Sequence, residues 1–299
     1  MPTPAQPSSS HGTVVEQEDT LLAWLLKTSG SQSRKSVKNL LKHGAVSVNG
    51  VATTKFDYAL HPGDKVSTGG ARAASAKNVL ARARIEIVHE DESIVVINKP
   101  AGLLSMATET CRMDTAYFRL NEYLKERSPS RPERIFIVHR LDQETSGLLL
   151  FAKMESIKRT LQDNWENVEK IYQAIVEGAP VPPQGTVRSH LTESKTLKVL
   201  SGEKTRHSQE AITHYRVAQT RGPYALVEVK LETGRKNQIR VHMSDLGHPI
   251  VGDQKYGAKT NPAKRLALHA QQLSFTHPAS GKRMVFSVPL PPVLKRLAG

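Results

Sequence analysis

Three side chains that could do chemistry, those of His139, Arg140 and Asp142, lie close together in a short polar segment. Apolar runs at 135–138 and 148–151 flank this segment, and their length and composition are typical of buried strands. Polar residues between two buried strands lie on a connection, where a rigid scaffold can present them to a ligand. A carboxylate fixed beside a guanidinium there is a candidate reaction centre. An internal Arg–Asp pair that only pins a loop would give the same pattern.

The wider sequence around Asp142 favours a reaction centre. The string H-R-L-D-x-x-T-S-G occupies residues 139–147 and is followed by L-L-L-F-A-K. It closely resembles the catalytic motif of the RluA-type pseudouridine synthases, and a match over so many positions is more specific than a lone short motif. The resemblance implies that Asp142 is the essential catalytic carboxylate. It also implies that Arg140 fills the space left when the target base is flipped out.

Two further strings match the same family. K-x-Y-x-A-x-V-x-G at 170–178 alternates as a strand does, which by itself would make Tyr172 a half-buried strand aromatic. T-G-R-x-x-Q-I-R-x-H at 233–242 leads into a helix, and a helix N-terminus with two arginines suits an anion. The resemblance implies that Tyr172 stacks on the target base and that Arg240 pairs with the catalytic aspartate. It implies that Arg235 binds backbone phosphate or supports the fold.

The reaction that the resemblance implies explains why one carboxylate is enough. Conversion of uridine to pseudouridine breaks the C1′–N1 bond, turns the uracil and joins C5 to C1′, so we expect no cofactor. The site must exclude water and present an aspartate, which its ordinary pKa of about 3.9 leaves ionised at neutral pH. A glycosidase breaks a similar bond but normally uses two carboxylates. Glu144 could be the second one, although the family does not use that position catalytically.

The overall charge points to a polyanionic partner. The formal charge is +14, from 42 Lys and Arg against 28 Asp and Glu. Nucleic acid is the first candidate and an anionic membrane surface the second. No run approaches the length of a bilayer span and no basic amphipathic helix with an aromatic-rich face stands out, so we expect no membrane partner. None of the 12 histidines lies in a C-x-x-C or H-E-x-x-H setting, so we expect no zinc site.

The compartment follows by elimination. Cys111 is the only cysteine, so no intramolecular disulfide can form. The first residues lack the charged and apolar regions of a secretory signal, and they lack the arginines of a mitochondrial transit peptide. We therefore expect a cytoplasmic protein.

The N-terminal region is predicted to form a small basic module. Residues 1–18 are rich in Pro and Ser and are predicted to be disordered. Residues 19–66 are predicted to form two helices, a hairpin at Asn49-Gly50 and a further turn. Residues 67–83 are rich in Gly, Ala and Ser, which is typical of a flexible linker.

Segment 19–66 also resembles a known RNA-binding domain. Its strings S-R-K-S-x-x-x-L-L and G-x-V-x-V-N-G look like those of the S-four-type domain, which is named from a small-subunit ribosomal protein and places its second helix on RNA. A solvated charged helix face is the alternative. The resemblance implies that four basic residues contact phosphates: Arg34, Lys35, Lys38 and Lys42.

Together these features predict an α+β protein. Residues 84–299 are predicted to form a pseudouridine synthase catalytic domain with a mixed, largely antiparallel sheet and flanking helices. A doubly wound parallel sheet is disfavoured because many connections are too short for crossovers. We expect a monomeric enzyme that modifies structured RNA, with large-subunit ribosomal RNA as the substrate. The alternatives are a synthase directed at tRNA, and a non-catalytic RNA-binding or ribosome-assembly protein that keeps the same fold.

Overall fold

The chain divides into two compact units, one formed by residues 1–82 and 121–133 and the other by 83–120 and 134–299. No helix within the described part of the chain is long and apolar enough to span a membrane. A computed structural model describes seven stretches of the chain: 13–28, 34–42, 46–68, 79–109, 111–128, 133–194 and 196–299.

The first unit packs two helices on short strands. A four-stranded antiparallel sheet has the order β1-β6-β3-β4, and β2 pairs with β5. Leu21, Leu25, Val37 and Leu41 are among the side chains that form its core. The elements are β1 (Thr13–Val14), β2 (Asp19–Thr20), α1 (Leu21–Thr28), α2 (Arg34–Lys42), β3 (Val46–Val48), β4 (Val51–Ala52), β5 (Ala59–Leu60) and β6 (Lys65–Thr68).

Ordered structure begins inside the segment that was expected to be disordered. Strand β1 pairs with β6, and the side chain of Val15 is 1% exposed in the core of the first unit. Val15 follows β1 directly. The strand has only two residues, which is too short to give a recognisable alternation of apolar and polar residues in the sequence. At the predicted linker, 67–68 belong to β6 and 79–82 are helical, while 69–78 lie outside the described residues. The predicted hairpin turn is confirmed by the positive φ values of Asn49 and Gly50.

The second unit is built on a sheet of eleven strands drawn from the described residues. Its order is β13-β12-β14-β15-β11-β16-β10-β8-β7, with β17 on β16 and β9 on β10. The strands are β7 (Glu86–Glu90), β8 (Ile94–Lys99), β9 (Phe136–Ile137), β10 (Ser146–Ala152), β11 (Glu169–Glu177), β12 (Gln184–Glu193), β13 (Val199–Gly202), β14 (Gln209–Arg221), β15 (Tyr224–Leu231), β16 (Leu268–Thr276) and β17 (Arg283–Ser287).

The pairing of these strands confirms the predicted fold class. Every recorded pair in this sheet is antiparallel except β10 with β16. Short connections such as the turn between β14 and β15 permit only antiparallel neighbours, as the sequence indicated. Among its described residues, three α-helices lie wholly within this unit, α4 (Glu155–Asp163), α5 (Gln238–Asp245) and α6 (Pro292–Ala298), while α3 (Ala116–Arg127) contributes residues to both units.

The core of the second unit lies around the centre of its sheet. One cluster of buried side chains includes those of β11, β15 and α5, and a second includes those of β8, β10 and α4. All seven residues of β10 are buried, which explains the continuous apolar run that follows Gly147. After β10, α4 is followed by a turn of 3-10 helix at Trp165–Asn167, and Ile157 and Leu161 are buried on α4.

Candidate active site

The loop that contains Asp142 connects two neighbouring antiparallel strands. Strands β9 and β10 pair, so residues 138–145 leave the sheet and return to it. The hydroxyl of the buried Ser105 holds this loop next to Asp142, because it donates to Leu141 O at 2.7 Å and accepts from Leu141 N at 3.0 Å. Thr145 N donates to Asp142 O at 3.1 Å. The main chain on both sides of Asp142 is therefore fixed while its carboxylate points elsewhere.

A buried lysine fixes the other side of the same loop. Lys99 ends strand β8 and has no exposed surface. Its Nζ donates to three main-chain carbonyl oxygens, those of Pro100 at 2.9 Å, Leu103 at 2.6 Å and Gln143 at 3.0 Å. A buried ammonium group needs such partners. Since Gln143 follows Asp142 directly, Lys99 joins the 99–103 segment to the loop of interest.

The ionisation of Lys99 matters for these contacts. The pKa of Lys99 is lowered to about 7, chiefly by burial, with a smaller lowering effect of Arg265, while Glu144 and Asp142 oppose the shift. A neutral amine has two N–H donors, so only the protonated form can serve three carbonyl oxygens. The three acceptors therefore favour the ammonium form.

Gly147 seats the end of this loop in the sheet. Its φ is +113°, and a Cβ at this position would overlap the main chain of Ala270 on the parallel strand β16. The backbone conformation and the close approach both require glycine. The structure thus explains why the final residue of the H-R-L-D-x-x-T-S-G string is a glycine.

His139 has a structural task rather than a chemical one. Its Nε2 accepts a hydrogen bond from Leu150 N at 3.0 Å, and its ring lies 4.7 Å from that of Trp165. Burial, with a smaller effect from the charge of Lys170, lowers the pKa of His139 to about 3. The imidazole is therefore neutral at physiological pH and ties the loop to β10.

Arg240 lies on helix α5, and two aspartates face its guanidinium. Asp253, whose side chain is 1% exposed, accepts from Arg240 Nε and Nη2, each at 2.7 Å. Nη1 donates to Asn237 Oδ1 at 3.2 Å and lies 3.7 Å from Asp142 Oδ2. The ring of Tyr256 lies against the guanidinium, 4.9 Å from Cζ to the ring centroid. Asn237, which has a left-handed backbone conformation with a φ of +54°, directly precedes the first residue of α5.

The charges around Arg240 favour its ionised form. Burial acts to lower the pKa of Arg240, but the hydrogen bonds and charge of Asp253 raise it, and Asp142 and Tyr256 raise it further. One guanidinium facing two carboxylates leaves a net negative charge if all three groups are ionised. Asp142 is the more accessible of the two carboxylates, with its side chain 25% exposed.

Tyr172 reaches the same place from strand β11. A register shift occurs between Ile171 and Tyr172 where β11 pairs with β16, and bulges of this kind often re-aim a side chain beside a site. Tyr172 is half-buried. Burial, together with the negative charge of Asp142, raises the pKa of its phenol, so the hydroxyl stays protonated at neutral pH.

These side chains line one small cavity. Its volume is about 80 Å³, and it adjoins a larger cavity of about 320 Å³. Asp142 and Arg240 line both cavities, whereas Glu144 lines only the larger one. The structure therefore brings together five of the residues singled out from the sequence, since the smaller cavity is lined by Asp142, Tyr172, Arg240, Arg140 and Arg235.

Two of these five are exposed arginines at the cavity. Arg140 lines both cavities. Arg235 donates its Nε to Glu210 O at 3.0 Å, so part of its guanidinium is used within the fold. In the first unit, Arg34 and Lys38 are exposed on α2, and the side chains of Lys35 and Lys42 lie outside the described residues. Among the residues that the structure describes, no cluster of three or more His, Cys, Asp or Glu could hold a metal ion.

Comparison with known proteins defines the class of this fold and site. The family profile of RNA pseudouridylate synthase matches residues 93–245, which include Asp142, Tyr172 and Arg240. A Bacillus subtilis protein named as an uncharacterized RNA pseudouridine synthase, YlyB, is 36% identical over 281 residues, covering 92% of each chain. The chain belongs to the RNA pseudouridylate synthase family.

Two further relatives agree with this assignment. Ribosomal large subunit pseudouridine synthase D of Neisseria meningitidis serogroup B is 33% identical over 296 residues, covering 91% of this chain and 75% of that protein. The solved structure of human RNA pseudouridylate synthase domain containing 4 has a TM-score of 0.61 and 29% identity, and the match covers 75% of this chain and 94% of that one. The chain is thus an RNA pseudouridine synthase by family, and its predicted enzyme class is confirmed.

Sequence reasoning missed three residues that support the site. Asp253 and Tyr256 belong to the run G-D-x-x-Y-G at 252–257, and Lys99 belongs to N-K-P-A-G at 98–102. Neither run was among the strings that predicted the site. In the structure, burial marks Asp253 and Lys99 as paired side chains, because ionised side chains are almost never fully buried unless paired. The sequence does not show burial at an isolated polar position, so their partners could be found only in three dimensions.

Proposed function

We propose that this protein isomerises specific uridines to pseudouridine in large-subunit ribosomal RNA, with Asp142 as the catalytic carboxylate. One observation supports the role of Asp142 above the others. Its carboxylate lines both cavities, and its Oδ2 lies 3.7 Å from Arg240 Nη1. It thus lies close to a cation and is open enough to reach a substrate.

Tyr172 and Arg240 have distinct proposed roles around this carboxylate. Tyr172 stacks on the uracil, an interaction worth about 1–3 kcal/mol per base, and its protonated phenol adds no negative charge beside Asp142. Arg240 places its positive charge beside the half-buried carboxylate. The base must leave its helical stack before either contact can form, which costs a few kcal/mol. The exposed Arg140 at the cavity mouth fills the vacated space.

Affinity for RNA comes from the basic surface. We propose that segment 19–66 is an S-four-like RNA-binding module, with Arg34, Lys35, Lys38 and Lys42 on phosphates, and that Arg235 contacts the backbone near the catalytic pocket. A module joined to the catalytic domain raises the effective concentration of the second site without new contacts. Binding should weaken steeply with salt, because phosphate contacts release counterions. We also propose that the enzyme acts as a monomer in the cytoplasm.

Ribosomal RNA is favoured over tRNA by two considerations. The Neisseria meningitidis relative, named for the ribosomal large subunit, is 33% identical. A second basic module is best used on a large structured RNA. Pseudouridines should be mapped in ribosomal RNA and tRNA from cells with and without the gene. Loss of a site in large-subunit RNA supports the proposal, loss of a tRNA site identifies a tRNA synthase, and no loss in either RNA favours a non-catalytic binder.

The catalytic role of Asp142 is tested by Asp142→Asn, which keeps the side-chain shape and removes the charge. C5 of the target uridine exchanges its hydrogen for C1′, so RNA labelled with tritium at C5 releases the label as the product forms. We expect Asp142→Asn to release tritium at least about 10³-fold more slowly than wild type, as expected when the central group of a site is lost. Asp163→Asn, on the exposed end of α4, is the matched control. A wild-type rate for Asp142→Asn would rule out this mechanism.

A further inference from the structure

The two carboxylates that face Arg240 are held in different ways. Asp253 takes the Nε–Nη2 edge of the guanidinium with two parallel hydrogen bonds of 2.7 Å. Such a fork is the strongest common arrangement between arginine and a carboxylate. Asp142 is left with the Nη1 corner, at 3.7 Å. The guanidinium therefore makes two hydrogen bonds to Asp253, whereas it only lies close to Asp142.

Tyr256 and Asn237 complete the surroundings of the Arg240 guanidinium. The Tyr256 ring covers the guanidinium, and its hydroxyl accepts from Asn237 Nδ2 at 3.0 Å and from Val199 N at 3.2 Å. Asn237 in turn accepts from Arg240 Nη1. Asp253 and Tyr256 are not among the described residues that line either cavity. They can act on a bound uridine only through Arg240.

We propose that Asp253 is a positioning residue for the pseudouridine synthase reaction, which keeps Arg240 from closing a two-bond fork on Asp142. If Asp253 released its edge, the guanidinium could turn and engage both oxygens of Asp142. A carboxylate held by a fork has neither oxygen free to act on the sugar or the ring. With Asp253 in place, Arg240 supplies charge to Asp142 and leaves its oxygens available. This inference rests on the proposed roles of Asp142 and Arg240.

The matched control is offered by the loop that contains Asp253. Glu177 Oε1 accepts from Lys259 N at 2.9 Å and from Thr260 N at 2.6 Å, and Gly252 N donates to Thr260 O at 2.8 Å. Glu177→Gln keeps the accepting oxygen but removes its charge, so it weakens the hydrogen bonds of the segment next to Asp253 without touching Arg240. Any effect that comes from loop stability alone should appear in both variants.

The experiment compares Asp253→Asn, Arg240→Gln, their double variant and Glu177→Gln. Tritium release from C5-labelled large-subunit RNA is followed in single turnover, the Kd for that RNA is measured separately, and each variant is assayed below its melting temperature. We expect Asp253→Asn to slow the single-turnover step by about 10²-fold, as a displacement of about 1 Å can do, with Kd within threefold of wild type. Glu177→Gln should keep the wild-type rate.

The double variant separates positioning from general support. If Asp253 acts through Arg240, the double variant is no slower than Arg240→Gln alone, because residues that act as a unit are not additive. Multiplied losses, or a wild-type rate for Asp253→Asn, would overturn the inference. If Asp142→Asn and Arg240→Gln keep the wild-type rate, the proposed site itself fails. If they are slow and Asp253→Asn is not, only the role of Asp253 fails.

A second variant covers the case in which Asp253→Asn does not fold, since it leaves a buried guanidinium short of its partner. Arg240→Lys keeps the charge but replaces the planar fork with a single ammonium, which cannot serve Asp253 along an edge and Asp142 at a corner. It should be about 10²-fold slower than wild type in single turnover. A wild-type rate for Arg240→Lys would show that charge alone is enough and would overturn the role of Asp253.

Discussion

The two members of the central ion pair are held by opposite means. The loop of Asp142 is fixed through its main chain, by Ser105 on Leu141 and by Lys99 on Gln143. Arg240 is fixed through its side chain, by Asp253 and by Tyr256. The difference suits their proposed roles, because a reacting carboxylate must have free oxygens whereas a supporting guanidinium can have all its other edges occupied. Variants that weaken the main-chain contacts of the Asp142 loop should therefore have different effects from variants that weaken the side-chain contacts of Arg240.

The largest effect on the Asp142 side should come from Gly147→Ala. A Cβ there overlaps the main chain of Ala270, and the φ of +113° disfavours any L side chain. Backbone strain of about 1–3 kcal/mol and overpacking of a similar size together predict a loss of about 2–6 kcal/mol in the free energy of unfolding. Urea denaturation measures the loss. Gly202→Ala is the control, since a Cβ at Gly202 meets nothing within 4 Å, and an equal effect in both variants would contradict the close approach.

How much of the fold and of the candidate site could be predicted from the sequence depends on the kind of contact. The strings around Asp142, Tyr172 and Arg240 indicated a strand, a helix start and the connection between β9 and β10, because local periodicity and turn residues determine such features. That the three strings meet at one cavity came from the resemblance and not from their spacing. Burial of Lys99 and Asp253 was not visible in the sequence, since it depends on how the folded chain packs around each side chain and brings Gln143 to Lys99 and Arg240 to Asp253.

Replacement of Lys99 should rank second. Lys99→Met keeps the length of the side chain and removes the donor to three carbonyl oxygens. Each buried acceptor left without a partner costs about 1–3 kcal/mol, and the gain from a well-packed apolar side chain offsets part of this, so we expect a net loss of about 2–4 kcal/mol. Urea denaturation should show this loss, with a slower single-turnover rate. Lys55→Met, at an exposed position of the first unit, is the control, and no loss of stability at Lys99 would show that the loop is held elsewhere.

Acid should weaken both sides by similar amounts. Burial lowers the pKa of His139, on the Asp142 loop, to about 3 and that of His242, on the helix of Arg240, to about 4. An unfolded histidine has a pKa of about 6.5, so below pH 6.5 the unfolded state binds protons that the folded state does not. Each histidine should then lower stability by about 1.4 kcal/mol per pH unit between pH 6.5 and 4, and have no effect above that range.

Unfolding in urea from pH 7.5 to 5 measures this slope. His139→Gln and His242→Gln should each reduce the slope of stability against pH by the contribution of one histidine. His207→Gln, at an exposed position, should leave the slope unchanged. An unaltered slope in His139→Gln alone would mean that the folded state already binds a proton on the Asp142 side. The two sides would then differ in their response to acid as well as in their contacts.

The smallest and most local effect should come from Ser105→Ala. It removes one hydroxyl that both donates to and accepts from Leu141, so we expect a loss of about 1–2 kcal/mol in the free energy of unfolding. Because this contact lies one residue from Asp142, the single-turnover rate should fall about tenfold while Kd for RNA stays constant. Ser274→Ala removes another buried hydroxyl of the second unit, which accepts one longer hydrogen bond from Gln272 Nε2 at 3.5 Å, and should cost less stability and no rate. If both variants lost stability and neither lost rate, the main-chain contacts would hold the loop without setting the position of its carboxylate, and the side-chain network around Arg240 would determine the geometry of the pair alone.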